Sequence, residues 1–252
     1  MALIEWLRRD PRATAPAPLP GPAPRIEVAG RSLPIELKRH ARAKRLTLRL
    51  APDGEAVRIT MPRWGRSAEA LAFAEARRQW LAAQLAKVPP RRDPVASGKL
   101  LYRGRDIAID WQSDSPRTPR IDGDTLRLGG PREGLEQRLI RWLEREALAR
   151  FAEDGAHYCA RAGQAVPDIR LSRARRRWGS CSSQGVLRLN WRLVQAPDAV
   201  RRSVVAHEVA HLVHFDHSPA FHALLGEIFD GDLDAANRWL ARHGRTLYAS
   251  FG

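Results

Sequence analysis

The sequence predicts an α+β fold, with a β-rich N-terminal part followed by a C-terminal part that combines a mixed sheet with helices. Three observations support this prediction. Runs that alternate between apolar and polar residues, the period of a half-buried strand, occur within residues 25–61 and 100–128. A long segment from about 132 to 161 repeats its apolar residues at helical spacing. Three shorter helical segments follow at about 198–215, 219–229 and 232–243.

Composition divides the chain into three segments. Residues 1–24 are rich in Ala and Pro and lack apolar periodicity, so we expect a disordered N-terminal tail. Residues 25–130 are expected to form a β-rich N-terminal region with one helix, and residues 131–252 a second domain. No internal repeat is evident in the sequence.

The N-terminal region contains the clearest strand prediction. Two alternating runs, 45–50 and 56–61, flank the segment Pro52-Asp53-Gly54, whose backbone preferences suit a tight reversal, so together they predict a hairpin. Ser67 suits the N-cap of a helix that we expect to run to about Lys87, before a pair of prolines stops it.

The long helix of residues 132–161 is expected to bury one stripe of its surface. Apolar side chains three to five residues apart mark this stripe, at Leu135, Leu139, Leu143, Leu148 and Phe151.

Composition also limits the partners and the compartment. Lys and Arg number 43 against 28 Asp and Glu, a net charge of +15 that would attract nucleic acid or nucleotides. Two cysteines are too few for a disulfide framework, which favours a reducing compartment and hence the cytoplasm. We find neither a secretory signal nor an apolar stretch of membrane-spanning length, so we expect no membrane partner.

The strongest functional signal is the segment His207-Glu208-Val209-Ala210-His211. Residues four apart share one face of a helix, so His207 and His211 can bind a single metal ion. Glu208 lies beside them, where its carboxylate can take a proton from a water molecule. We therefore predict a hydrolase with a Zn²⁺ site, in which Glu208 is the catalytic base.

A catalytic zinc site normally has three protein ligands, so a third is needed. His214 lies roughly 10 Å along the helix axis from His207, too far for both to bind one ion. His217 precedes a Ser-Pro pair that suits the start of a new helix, so the chain can turn there and fold His217 back. His217 therefore fits the third position, and Glu227 stays an alternative. The full set of nearby candidates is His214, His217, His222, Glu227 and Cys181.

Five ordered sequence blocks resemble the YgjP-like metallopeptidases, which are relatives of the SprT/Spartan and WLM proteases. The resemblance implies His217 as the third metal ligand and a zincin-like metallopeptidase domain over residues 131–252. The metzincins share the three-histidine spacing, but His214 replaces their glycine and no methionine lies downstream, which excludes that family. The five blocks are Arg177-Trp178-Gly179-Ser180-Cys181, Arg188-Leu189-Asn190-Trp191, Ala196-Pro197, His207 to His211, and His217-Ser218-Pro219-Ala220-Phe221.

The expected substrate is an unfolded or extended polypeptide. We expect Arg177, Asn190 and Trp191 to contact it and the strand 186–191 to pair with it, because extended peptides commonly add a strand to a sheet edge. The arginine-rich run 173–177 suits phosphate or nucleic acid. Two alternatives stay open. One is a metal-dependent nucleoside triphosphate (UTP) pyrophosphatase, an activity also associated with YgjP-like members; the other is a DNA-associated protein with a structural metal.

Overall fold

The structure, a computed structural model, describes residues 23–251 and has a mixed α/β fold with three small sheets. Residues 1–22, which hold most of the predicted tail, lie outside this part. None of the described helices is long and apolar enough to cross a membrane. The strands are β1 Arg25–Val28, β2 Arg31–Arg39, β3 Thr47–Leu50, β4 Val57–Met61, β5 Lys99–Tyr102, β6 Arg105–Gln112, β7 Arg120–Asp122, β8 Thr125–Gly129, β9 Ile169–Ser172, β10 Gly179–Cys181 and β11 Leu187–Asn190. The helices are α1 Ser67–Ala76, α2 Arg78–Leu85, α3 Pro94–Ser97, α4 Leu135–Arg161, α5 Asp198–Ala210, α6 Pro219–Ile228 and α7 Leu233–His243, with 3₁₀ helices at Trp191–Gln195 and Gly244–Tyr248.

The first sheet has the strand order β1-β2-β4-β3. β2 and β4 run parallel, and each outer strand pairs with its neighbour in antiparallel fashion. One face carries buried apolar side chains such as Ile35 and Ile59, which pack with α1 and α2 in a core of their own. The other face is polar, as the period-two alternation predicts. The predicted hairpin is confirmed as β3 and β4.

The single helix predicted from Ser67 to Lys87 is two helices in the structure. Arg66 rather than Ser67 occupies the N-cap, and no side chain caps α1. The backbone leaves helical geometry at Arg77, with φ −107° and ψ 15°, between α1 and α2. Both helices still bury residues against the first sheet, at Ala70, Ala74, Leu81 and Leu85.

The second sheet repeats the architecture of the first. Its strand order is β5-β6-β8-β7, with the same sequence of antiparallel, parallel and antiparallel pairings. Each sheet begins with a hairpin whose two turn residues both have positive φ, Ala29-Gly30 in the first sheet and Arg103-Gly104 in the second. Positive φ at both positions is the geometry of a type I′ turn, which favours glycine at the second of them.

Ion pairs also correspond between the two sheets. The arginine after each turn glycine pairs with an acidic residue from the other hairpin, Arg31 with Glu55 and Arg105 with Asp124. Further along, one acidic and two arginine residues lie opposite one another across three strands. These ladders are Glu36, Arg58 and Arg49 in the first sheet, and Asp110, Arg127 and Arg120 in the second. The described chain thus contains an internal repeat that sequence reasoning missed.

The two sheets belong to different hydrophobic cores. The first packs with α1 and α2, whereas the second contributes Leu100, Leu126 and Leu128 to a larger core that includes α4, α5 and α6. Hydrophobic packing therefore divides the chain near residues 89–93.

The predicted long helix is confirmed as α4. Leu139, Leu143 and Phe151 are fully buried, but Leu148 is 43% exposed, so its predicted place in the buried stripe is wrong. Ala147 takes that place, because it lies four residues from both Leu143 and Phe151 and is itself fully buried.

The second sheet holds the N-terminus of α5. In the β5–β6 turn, the backbone N–H groups of Arg103 and Gly104 each donate to a carbonyl of the 3₁₀ helix Trp191–Gln195 at 2.9 Å. Arg103 Nε also donates to Asp198 Oδ1 at 3.0 Å. Burial alone would raise the pKa of Asp198, but the hydrogen bonds and charges of Arg103 and Arg201 outweigh it and lower this pKa below its ordinary value.

A buried ion pair fixes α5 on α4. Arg201 Nε donates to Asp154 Oδ2 at 2.7 Å, and less than a tenth of either side chain is exposed. Loss of one partner from such a pair leaves a buried charge uncompensated and is strongly destabilising. The turn contacts and this ion pair together fix the orientation of the helix that carries the predicted metal ligands.

Candidate metal centre

α5 carries two of the predicted ligands and the predicted base. Its inner face is apolar and fully buried, with Val205 and Val209 among the core residues, which leaves His207 and His211 half-buried on the outer side. The two imidazole ring centroids are 4.9 Å apart. α5 ends at Ala210, with His211 at the C-cap, so it is five residues shorter than the predicted helix.

The chain turns after α5 and brings His217 back to the pair. Ser218 caps α6, since its Oγ accepts a hydrogen bond from the N–H of Phe221 at 3.4 Å, and Pro219 occupies the first turn. His217 Nε2 lies 3.2 Å from His207 Nε2. The predicted helix start at Ser218-Pro219 is therefore present, and the turn before it returns His217 to His207.

Phe221 forms the floor of the three-histidine cluster. Its ring is fully buried, and its centroid lies 5.0 Å from that of His207, 4.5 Å from that of His211 and 4.9 Å from that of His217. Such contacts restrict the imidazole orientations. The sequence contained the signal, the Phe that ends the block His217 to Phe221, but our reasoning gave it no role.

The donor set fits a divalent transition metal. One nitrogen from each of His207, His211 and His217 can be chosen so that all three lie within 4.8 Å of one another. In a tetrahedral site with Zn–N bonds of about 2.0–2.1 Å, ligand nitrogens are about 3.3 Å apart. His211 Nδ1 lies 2.9 Å from the carbonyl oxygen of His214, so donation there leaves Nε2 as the ligand atom. Burial, followed by the charges of His211 and His217, lowers the pKa of His207 to about 4, so this imidazole is neutral, as a ligand must be.

The other candidate ligands do not join this cluster. Among residues 23–251 the group that could hold a metal ion consists of the three histidines alone. His214 contributes through its carbonyl, while Glu227 and His222 lie exposed on α6. Burial, and then the charge of Glu208, raises the pKa of the Cys181 thiol, which disfavours the thiolate that binds metals.

Glu208 is a buried carboxyl group next to the cluster. Burial raises its pKa to about 7, although the positive charge of Arg177 and a hydrogen bond from the N–H of Cys181 act in the opposite direction. A base with a pKa near neutrality can both accept and return a proton at physiological pH. The predicted base therefore has the environment that this role requires.

Gly179 leaves the space that the Glu208 carboxylate occupies. A Cβ atom at Gly179 would lie 2.3 Å from Oε1, 2.6 Å from Cγ and 2.7 Å from Cδ of Glu208. The backbone φ of Gly179 is not in the left-handed region, so its requirement for glycine is steric. Gly179 belongs to the sequence block Arg177 to Cys181, but its contact with Glu208 was not predicted.

The free sheet edge at the site belongs to β10. The third sheet has the order β10-β11-β9, so β11 is paired on both sides. The predicted pairing of peptide with residues 186–191 is therefore wrong, because β11 has no free edge. Asn190 N–H bonds to the Trp178 carbonyl, and Ser182 N–H to that of Val186. By antiparallel alternation, the backbone N–H and C=O groups of Gly179 and Cys181 point away from β11, along the free edge of the sheet.

The three expected substrate contacts divide into one exposed and two buried residues. Arg177 is exposed, and its positive charge acts to lower the pKa of Glu208. Asn190 is fully buried, and its Nδ2 donates to the carbonyl of Ala174 at 2.8 Å. Trp191 is 2% exposed and packs beside Phe251. Asn190 and Trp191 therefore support the site from the interior, contrary to our expectation of a substrate contact.

The arginine loop, residues 173–177, connects β9 to β10. Arg173 forms an ion pair with Glu144 at 2.6 Å, and Arg175 forms one with Asp53 of the β3–β4 turn at 2.5 Å. The second pair ties the loop beside the base to the first sheet. Within the described residues, Arg176 and Arg177 make no ion pair.

The turn between the second and third histidines exposes apolar side chains. Phe215 is 60% exposed and Val213 is 40% exposed. Large apolar groups left in water next to a site commonly mark a surface that binds a partner or substrate.

Comparison with known proteins identifies the family. The model of the YgjP-like metallopeptidase domain matches residues 44–243, which include the first sheet from β3 onward, the second and third sheets, and all three histidines. Comparisons with curated proteins and with solved structures gave no significant match. Because the match covers most of the sequence, this chain belongs to the YgjP-like metallopeptidase family.

Proposed function

We propose that this chain is a zinc-dependent endopeptidase that hydrolyses unfolded or extended polypeptide. The observation that carries the proposal is the buried Glu208, which directly follows His207 and lies against Gly179 of the edge strand β10. His207, His211 and His217 would hold the zinc ion, which supplies a Lewis acid that polarises a carbonyl and makes water more acidic.

Glu208 would carry the proton transfers. Its carboxylate accepts a proton from the water that attacks the peptide carbonyl carbon, and the resulting carboxylic acid donates that proton to the amine nitrogen as the C–N bond breaks. The close contact with Gly179 limits the orientations that the carboxylate can adopt.

The polypeptide would pair with β10 instead of β11. The outward-facing carbonyls of Gly179 and Cys181 are suited to accept hydrogen bonds from an extended chain. Val213 and Phe215 offer apolar contacts at the same site. A folded protein rarely exposes an unpaired strand with apolar side chains, so this combination favours unfolded substrates.

A nucleoside triphosphate pyrophosphatase is the second candidate. Arg177 favours this activity, because its guanidinium is exposed and its positive charge acts on Glu208, so it could bind a phosphate group beside the base. A DNA-associated protein with a structural metal explains the cluster less well, since it assigns no role to the buried Glu208.

Hydrolysis assays distinguish these candidates. Zinc-loaded wild type, Glu208→Gln and the control Glu227→Gln, an exposed carboxylate on α6, are tested on a labelled unfolded protein and on UTP. We expect wild type and the control to cleave the polypeptide, and Glu208→Gln to lose about 10²–10⁴-fold in rate. Turnover of UTP alone would refute the peptidase, and full polypeptide cleavage by Glu208→Gln would refute the role of the base.

A further inference from the structure

A basic cleft lies between the first sheet and the arginine loop. It encloses about 380 Å³. We name it the basic cleft; the residues that define it are Lys38, Arg49, Arg58, Thr60, Arg175 and Arg176.

Strand alternation places these side chains in the cleft. In β4 the apolar residues Val57, Ile59 and Met61 are buried, so Arg58 and Thr60 point to the opposite face. Lys38 lies opposite Thr60 in the same face. The polar side of the first sheet, which would otherwise meet only water, thus becomes one wall of a cavity.

The positive charge in the cleft is incompletely balanced. Glu36 pairs with Arg58 at 2.6 Å, and Asp53 pairs with Arg175 at 2.5 Å. In the part of the chain that the structure describes, the other three cations, Lys38, Arg49 and Arg176, have no ion-pair partner.

The first sheet also holds two arginines directly opposite each other. Arg49 faces Arg58 across β3 and β4, and like charges in this position destabilise a sheet. The second sheet has the same arrangement, with Arg120 opposite Arg127, but there Arg127 forms ion pairs with two acidic residues, Asp110 and Asp122, whereas Arg58 pairs with Glu36 alone. An anion bound in the basic cleft would supply the charge that the first sheet lacks.

An exposed tryptophan lies in the turn that follows β4. Trp64, four residues after Thr60, is 78% exposed and lies between the exposed Arg63 and Arg66. Arg39, the residue after Lys38, donates to the carbonyl of Gly65 at 3.1 Å and so fixes this turn at the end of β2 and β4. An open aromatic face between cations is the arrangement on which unpaired bases stack.

The arginine loop connects the cleft to the candidate metal centre. Arg176 lines the cleft, and Gly179, three residues later in the chain, lies against the Glu208 carboxylate. The cations therefore lie on three strands and on the loop that leads to Glu208, an arrangement suited to a ligand with several phosphates.

We propose that the basic cleft binds the phosphodiester backbone of a single-stranded nucleic acid, with Trp64 stacking on a base. Multiple cations along one path match a chain of phosphates better than one phosphate group, and stacking on Trp64 requires a base that is not in a duplex. This inference goes beyond the proposed hydrolysis and does not depend on it.

Fluorescence anisotropy tests the cleft with a labelled oligo(dT) of about 20 nucleotides over a range of salt concentrations. The variant Lys38→Gln/Arg49→Gln/Arg176→Gln should bind at least about tenfold more weakly at low salt. The slope of log affinity against log salt should fall by about 2, since each phosphate contact on a single strand contributes about 0.7.

A matched control removes three exposed charges elsewhere, in Lys99→Gln/Arg145→Gln/Arg242→Gln. It has the same net charge as the cleft variant, so it should retain near wild-type affinity if the cleft is the binding site. Equal weakening in both triple variants would overturn the proposal.

Trp64→Ala tests the stacking contact, and Trp64→Phe should restore part of the binding. We expect Trp64→Ala to weaken oligo(dT) binding about fivefold or more without changing the salt slope. A duplex that binds as tightly as the single strand would overturn the proposal, as would poly-glutamate of equal charge that displaces oligo(dT) equally well. Binding by Glu208→Gln is measured in parallel, so loss of hydrolysis and loss of the nucleic-acid site are recorded separately.

Discussion

Replacement of Gly179 by alanine tests the geometry of the base. Alanine is acceptable to the backbone there, since the φ of Gly179 is not left-handed, but its Cβ would lie 2.3 Å from Glu208 Oε1. Real Cβ contacts below 3.0 Å essentially never occur. Glu208 is buried, so its carboxylate has to leave its position beside β10 to relieve the contact.

The size of the effect follows from this distance. Ordinary contact begins near 3.4 Å, so the carboxylate has to move by about 1 Å, a displacement that can cost about 100-fold in rate. The three atoms nearest to this Cβ all belong to Glu208. We therefore expect Gly179→Ala to lose about 100-fold in the rate of polypeptide cleavage while it retains its metal.

The assay compares cleavage rate, metal content and melting temperature. Gly226→Ala is the control, because a Cβ at Gly226 meets nothing within 4 Å and this residue lies in helix α6. Gly226→Ala should leave the cleavage rate unchanged and raise the free energy of unfolding by up to about 1 kcal/mol.

A second background identifies the cause of the loss. Glu208→Ala removes Cγ, Cδ and the carboxylate oxygens, the atoms that Cβ would strike, so Gly179→Ala should add little further loss to the residual rate in that background. Unchanged activity of Gly179→Ala would refute the steric reasoning. A full additional loss on top of Glu208→Ala would show that Gly179 acts through something other than the carboxylate.

Three further predictions concern the metal, acid stability and the core. His217→Ala should weaken zinc binding, measured by competition with a chelator, by more than the roughly 10–100-fold typical of outer-shell changes, while His222→Ala should not. The pKa of Asp198 is lowered in the fold, so its stabilising contribution is present above its unfolded pKa of about 4 and is lost as pH falls through the folded pKa. Asp198→Asn should therefore unfold more easily than wild type at pH 6, with a difference that narrows below about pH 4; a constant difference would contradict this assignment. In denaturant titrations Leu143→Ala should cost about 2–5 kcal/mol and Leu148→Ala about 0.5 kcal/mol or less, and equal costs would contradict the burial pattern.

The three-histidine cluster was predictable because its sequence signals are local. The spacing of His207 and His211 on one helix and the Ser-Pro helix start after His217 are short-range features, and the structure brings these three histidines together. Glu208 was predictable as their neighbour, but its burial against Gly179 depends on a strand that follows a loop some 30 residues earlier. Sequence spacing alone carries no information on that contact.

Sheet order explains the error over peptide pairing. β11 precedes α5 in sequence, with only a 3₁₀ helix between them. In the sheet, however, β9 pairs with β11 in parallel on one side and β10 pairs with it on the other. Parallel partners are connected by long segments, so their pairing is a non-local property. The same limit applies to Asn190 and Trp191, since a conspicuous polar or aromatic residue on a central strand is more often enclosed than exposed.

In the long helix, by contrast, a local pattern led to a wrong prediction for one residue. Leu148 satisfies a loose apolar spacing, but Ala147 has the four-residue spacing from Leu143 and Phe151 that defines the buried stripe. Alanine contributes little to apolar periodicity, so the pattern pointed to the neighbouring Leu148 instead of Ala147.

The repeated sheets differ in what their turns meet. A Cβ added at the turn glycine Gly30 of the first sheet would meet nothing within 4 Å, whereas one added at its counterpart Gly104 would lie 2.9 Å from Cγ of Pro197, at the entrance to α5. The same architecture therefore supports α5 in the second sheet and leaves a positively charged face open to solvent in the first.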